Sequence, residues 1–217
     1  MSVSSWDERA EAYRTSAVHA SGPDLDLVVE LCGPRPGVTV VDVATGGGHV
    51  ARRLREAGAE VVTVDPSPGM QPDVIAPAEA LPFDDGSFDV VVNRLAAHHF
   101  DSIPKAVSEF ARVTRGTVVI EDHRYTDDAT EEAEKLRDPS HVRSLSEAEW
   151  RALLEGAGLE VTRVEGYEMT LELDEWLART GCAGDAASRV RELLAPLTSA
   201  DGARWVSPMI ILQARKP

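Results

Sequence analysis

The sequence predicts an α/β fold, a doubly wound and mostly parallel sheet that ends in an antiparallel hairpin. Three observations predict it. Short β-branched runs alternate with helix-spaced segments through residues 38–121, the pattern of right-handed βαβ units. The runs are continuously apolar, as strands covered on both faces are. After its last helix the chain finishes with two consecutive long strand candidates, 159–173 and 204–214.

The elements follow in order. "VTVVDV" (38–43) is the first strand. Behind it Val50, Leu54 and Ala57 recur at helical spacing, and Gly58 stops the helix. "EVVTV" (60–64) is the second strand. A parallel crossover needs roughly a dozen residues or more, and the stretch from Asp65 to Val74 is too short for one. Pro66, Pro68, Gly69 and Pro72 also oppose a helix there. Residues 66–73 are therefore expected to form a stiff loop, and Val74 and Ile75 a very short strand or none. "SFDVVVN" (87–93) is the next strand, and Ile103, Ala106, Val107 and Phe110 mark one face of the helix after it, capped by Asp101 or Ser102. "TVVIE" (117–121) is a strand again. Ser146 and Glu149 form a capping box for a helix ending near Gly158. Residues 174–195 read as two short helices. Segments 125–145 and 174–200 are extras placed to cover the crevice at the carboxyl ends of the strands.

The 217 residues suit one domain. A formal net charge of −15 disfavours nucleic acid as a partner. Cys32 and Cys182 form no CxxC pair, which suits a reducing cytoplasm. The start "MSVSSWDERAEAY" carries no secretory pattern. No apolar run approaches the roughly 18 residues of a membrane span. Oligomeric state is not legible.

The turn after the first strand reads "DVATGGGHVA". Gly46, Gly48 and Ala51 match G-x-G-x-x-A, which brings backbone close to a ligand over a helix start or simply makes a tight turn. Asp42, four residues before Gly46, would repel a pyrophosphate and suits a positive group. Asp65, at the tip of the second strand, can accept ribose hydroxyls. An adenosyl ligand with a cationic amino acid tail meets both carboxylates, and S-adenosylmethionine is that molecule.

With these motifs in place, the sequence resembles the class I S-adenosylmethionine-dependent methyltransferases. It looks closest to their small-molecule branch, methyltransferase type 11, which includes ubiquinone- and menaquinone-biosynthesis enzymes. "VVDVATGGGHVA", "VTVDPSPGM", "AEALPFDDGSFDVVVNRLAAHHF", "KAVSEFARV" and "RDPSHVRSLSEAEWRALLEGAGLEV" carry the resemblance. The early segment "WDERAEAYRTSAVHASGPDL" resembles the family's lid helices. The resemblance implies a Rossmann-like seven-stranded sheet with a shortened third strand and a helical cap, in one domain over 1–217. Residues 1–30 would be the lid and 36–122 the cofactor-binding core. It implies S-adenosylmethionine as cofactor, S-adenosylhomocysteine as product and a small-molecule acceptor. Asp42 and the backbone of Ala44, Gly46 and Gly48 would hold the methionine part. Asp65 would take the ribose and Met70 would pack on adenine. Ala78 and Glu79 would line the adenine edge, Asn93 and Arg94 would lie beneath the ligand, and Tyr13 would close over the carboxylate end. The chain departs from the family at Ala44, where a glycine is usual, and at Pro77, where an acidic residue is common. It departs again in the shortened turn 114–116 and in the missing helix after Met70.

Methyl transfer requires proximity in a dry site, and a base only if the acceptor must lose a proton. His98, His123 and His141 are the candidates for chemistry. His98 and His99 follow the fourth strand, and either reads equally as packing on the nucleotide or capping the next helix. His123 reads as a surface loop residue or a substrate contact, and His141 as a substrate wall or a partner of Asp138. His19 belongs to the lid, and His49 reads as an exposed helix cap. Trp150, Trp176 and Trp205 read as packing. The acidic run from Asp127 to Glu134 reads as a solvated helix face, and no metal triad is evident. Two other readings remain: a NAD(P)-dependent oxidoreductase, which Asp42 opposes, and an S-adenosylmethionine-binding protein that does not methylate.

Overall fold

The computed structural model describes residues 3–15 and 17–217. Three helices open the chain: α1 (Val3–Arg14), α2 (Ala17–Ala20) and α3 (Pro23–Cys32). The strands are β1 (Thr39–Val43), β2 (Glu60–Asp65), β3 (Val74–Ile75), β4 (Phe88–Arg94), β5 (Thr114–His123), β6 (Glu160–Glu172) and β7 (Arg204–Arg215). Between them run α4 (His49–Glu56), α5 (Ile103–Val113), α6 (Asp128–Arg137), α7 (Glu147–Gly156), α8 (Leu173–Ala178) and α9 (Gly184–Leu194). The seven strands lie in the order β3-β2-β1-β4-β5-β7-β6. β1 to β5 are parallel, and β7 runs antiparallel to both β5 and β6. The expected hairpin is thus present, with its second strand inserted between β5 and β6.

Period-two alternation fixes which side chain meets which layer. Val40, Val90, Val92 and Val119 face α3 and α4, joining Leu25, Val28 and Leu54. Val41, Val91, Val118 and Ile120 face α5 and α7, joining Phe110, Trp150 and Leu154. Burying each such side chain is worth about 1.5–3 kcal/mol. The Ser146–Glu149 capping box starts α7 as expected. Ala57 is exposed rather than apolar-facing, because α4 ends one residue before it. The outer ends of β6 and β7 extend past the main sheet. There Leu171 and Trp205 pack with Trp176, Val190 and Leu194 of α8 and α9 and with Ala133 of α6 in a third apolar cluster.

The connection after β2 has no helix beyond a single 3-10 turn, Pro68–Met70, and β3 is two residues long. Asp73 holds this edge in place. Its carboxylate accepts from the Thr63 N–H at 2.9 Å, the Thr63 hydroxyl at 2.8 Å and Arg55 at 2.8 Å. Ile75 is left 61% exposed, since no helix covers that edge. Residues 114–116 are not a turn but the start of β5, which follows α5 directly. Gly116 is required there, because a Cβ would lie 2.6 Å from the Asp89 carbonyl oxygen.

Candidate active site

The order of strands reverses at β1 and β4, so their carboxyl ends diverge and leave a crevice. A cavity of about 160 Å³ occupies it. Its floor is the loop after β1. Ala44, Gly46 and Gly48 have φ of +55°, +51° and +72°, a left-handed path that costs a non-glycine residue about 1–2 kcal/mol. Ala44 and Gly46 line the cavity, whereas Gly48 sits behind them as the N-cap of α4. Gly47 is held by contact rather than by φ. A Cβ there would stand 2.6 Å from the Tyr13 carbonyl oxygen and 2.7 Å from His49 Nε2.

Asp42 and Asp65, the last or near-last residues of neighbouring strands, both face this cavity and are almost fully buried. Asp42 Oδ2 accepts from the Thr45 hydroxyl at 2.6 Å. Burial, reinforced by the charge of Asp65, pushes the Asp42 carboxyl up to about 6. Asp65 Oδ2 accepts from Gly46 N–H at 3.0 Å and its Oδ1 from Ser67 N–H at 2.9 Å. Burial raises its pKa despite these bonds. A carboxylate can accept about four hydrogen bonds, so capacity remains for hydroxyl donors.

The N-terminal helices form the roof. Tyr13 and Trp6 line the cavity with their rings 6.0 Å apart, and Trp6 stands 4.8 Å edge-to-face from His99. His49 is buried rather than exposed, because its Nε2 reaches back 2.9 Å to the Tyr13 carbonyl. Asp7 ties α1 to the short loop, accepting from Ser67 Oγ at 2.5 Å and Gly69 N–H at 2.8 Å. Arg14 also donates to the Gly69 carbonyl. His19 lines the wall, and burial, with Arg179 and Arg94 nearby, lowers it to about 3, leaving a neutral imidazole.

Met70 and Ala78 line the far end. Glu79 does not: its carboxylate turns away to accept from the Ser102 N–H at the start of α5, replacing a side-chain cap. Asn93 lies under the strand ends, its amide donating to the Val43 carbonyl at 2.9 Å. Arg94 lines the cavity but is committed, with Nε 2.7 Å from Glu121 and its terminal nitrogen paired with Asp24. Tyr167 donates to the other Glu121 oxygen at 2.5 Å. Burial still pushes Glu121 up to about 7. No local pattern signals this lock, because Asp24, Arg94, Glu121 and Tyr167 come from four separate elements.

Of the histidines after β4, His99 reaches the cavity and His98 does not. His98 turns back to hydrogen-bond Asp122 at the end of β5. Burial, with His123 and His141 close by, holds it well below the ordinary imidazole value and therefore neutral. The three chemistry candidates are brought together, with His98 lying 4.7 Å from His123 and 5.3 Å from His141, ring to ring. His141 pairs with Glu131 at 3.2 Å rather than with the Asp138 carboxylate. The acidic run is not wholly solvated. Asp127 caps α6 through Thr130 N–H, Glu131 reaches His141, and Glu134 is buried against His123 at 3.5 Å. Spacing of three along one helix turns Glu131 and Glu134 inward together.

A mostly parallel sheet with a reversed seventh strand, a glycine loop after β1 and carboxylates ending β1 and β2 define a class I methyltransferase. A family model of the methyltransferase domain matches residues 41–120. The uncharacterized methyltransferase YcgJ of Bacillus subtilis (strain 168) is 32% identical over 207 residues, 85% of this chain and 82% of that one. The crystal structure of the Bacillus subtilis YcgJ protein matches with a TM-score of 0.81 at 27% identity, over 88% of this chain and 97% of that chain. Demethylmenaquinone methyltransferase of Renibacterium salmoninarum is 38% identical over 99 residues, 41% of this chain and 42% of that protein. The chain belongs to the class I methyltransferase family and is a methyltransferase.

Proposed function

We propose that the protein transfers the methyl group of S-adenosylmethionine to a small-molecule acceptor by in-line displacement, releasing S-adenosylhomocysteine. One observation carries this reading: two buried carboxylates, Asp42 and Asp65, flank a glycine loop in a cavity whose wall cation, Arg94, is already paired. The raised pKa of Asp42 marks a carboxylate in need of positive charge. In this reading Asp42 faces the cationic end of the cofactor, and the backbone at Ala44, Gly46 and Gly47 cradles it. Asp65 accepts from the ribose, Met70 and Ala78 pack on adenine, Arg94 forms part of the wall, and Asn93 braces the end of β1 beneath the ligand. The cofactor supplies an electrophilic methyl group. The protein supplies position and dryness, with Tyr13, Trp6 and His99 excluding water above it.

The name of the Renibacterium relative supports an aromatic or hydrophobic acceptor. The acidic surface supports a partner other than nucleic acid. Among the described residues no helix is long and apolar enough to cross a membrane, and the free thiols Cys32 and Cys182 support a cytoplasmic setting. Titration calorimetry tests the reading. S-Adenosylmethionine and S-adenosylhomocysteine are expected to bind in the micromolar range. No heat in that range from either, with a folded protein, refutes the cofactor assignment. Turnover is read as S-adenosylhomocysteine formed with a panel of quinols and phenols.

A further inference from the structure

Behind His99, the ends of β4 and β5 carry a second constellation that no cofactor contact uses. One ligand atom each from His98, Asp122 and His123 lies within 4.8 Å of the others. His98 Nδ1 hydrogen-bonds Asp122, and His123 Nδ1 lies 3.2 Å from Ser207 Oγ and 3.5 Å from Glu134 Oε1. A further observation points to a small cationic guest. Glu134 is 4% exposed, and its Oε1 has no hydrogen-bond partner among the described residues. That carboxylate and His123 also line a small cavity of about 10 Å³ shared with Glu131, Ser207 and Arg124, which His98 and Asp122 do not reach.

We propose that His98, Asp122 and His123 bind one divalent late first-row metal ion, with Glu134 as an additional oxygen donor. Two imidazoles and a carboxylate suit Zn²⁺, Co²⁺, Ni²⁺ or Fe²⁺, whereas Mg²⁺ and Ca²⁺ take oxygen donors and water. Bonds of about 2.0–2.1 Å place tetrahedral ligand atoms about 3.3 Å apart. The widest separation in the triad therefore closes by at most roughly 1.5 Å, a movement within reach of side-chain rotation at the partly exposed His123, while the hydrogen-bonded His98–Asp122 pair opens to admit the ion. The site is independent of the cofactor reading. His99 separates the two, packing 4.0 Å from His98, ring to ring, and lining the cofactor cavity.

The full chain, stripped with a chelator, is titrated with Zn²⁺ by calorimetry and with Co²⁺ by visible absorption. Excess Mg²⁺ is present to occupy the acidic surface. One equivalent per chain is expected, with a Co²⁺ d–d band of a low-coordinate site. Asp122→Asn and His123→Gln abolish the band, and Glu134→Gln weakens binding about 10–100-fold. Glu132→Gln, exposed on the same helix, binds as the parent does. Thermal unfolding of each variant verifies folding, and the near-isosteric Asp122→Asn carries the test if His123→Gln fails to fold. Substoichiometric uptake by the parent under Mg²⁺, or undiminished uptake by the folded variants, overturns the proposal.

Discussion

Asp42→Asn is expected to stabilise the empty protein while weakening its hold on the cofactor. The carboxyl titrates at about 6 in the folded chain against an ordinary value of 3.8, chiefly because it is buried. Between those values the folded state holds its proton more tightly than the unfolded state. The penalty on folding is therefore absent below about pH 3.8, grows as pH rises, and is complete above about pH 6. At about 1.4 kcal/mol per pKa step it reaches about 3 kcal/mol. Asparagine removes the charge and keeps an oxygen to accept from Thr45. For a chain of this size that corresponds to a Tm gain of about 6–12 °C at pH 8 and about half as much at pH 5. S-Adenosylmethionine loses a charge-assisted partner worth about 1.5–3 kcal/mol, so its Kd rises about 10–150-fold at pH 8. Differential scanning fluorimetry across pH 5–8 and calorimetry on the same samples read both effects. A gain independent of pH, or a less stable variant at pH 8, refutes the assignment of Asp42 as a buried charge. A stabilised variant that binds as tightly as the parent refutes only its role at the cofactor.

Gly47→Ala places a Cβ 2.6 Å from the Tyr13 carbonyl oxygen. The roof must shift at a cost of about 1–3 kcal/mol, read as weaker S-adenosylhomocysteine binding and faster proteolysis within residues 1–20. Ala44→Gly relieves a left-handed alanine and is expected to add about 1 kcal/mol, or about 2–4 °C in Tm, with cofactor affinity unchanged. Arg94→Met strands Glu121, which is fully buried. The expected cost is about 3–5 kcal/mol, and chemical denaturation measures it. Asp73→Ala frees the β3 edge from Thr63 and Arg55, so amide exchange at residues 62–75 is expected to quicken.

The strand runs, the capping box, the terminal pair of strands and the helixless crossover were legible in the sequence because each is a local matter. Each depends on side-chain period, cap chemistry, or the room between Asp65 and Val74. The glycine loop and the two strand-end carboxylates were legible for the same reason, since a strand's last residues face the crevice of any doubly wound sheet. By itself, then, the sequence determined the sheet, the crevice and its negative floor. Which histidine meets the cavity was a tertiary decision. His98 and His99 are neighbours in the chain, and the hydrogen bond to Asp122, 24 residues away, turns one inward and leaves the other at the cavity. Burial of His49 under the Tyr13 carbonyl, the diversion of Glu79 to α5 and the locking of Arg94 by Asp24 and Glu121 likewise depend on packing between distant elements. So does the inward turn of Glu131 and Glu134, which a run of acids disguises as a solvated face. Polar side chains choose partners by proximity in the folded chain, and that proximity has no period to read along the sequence.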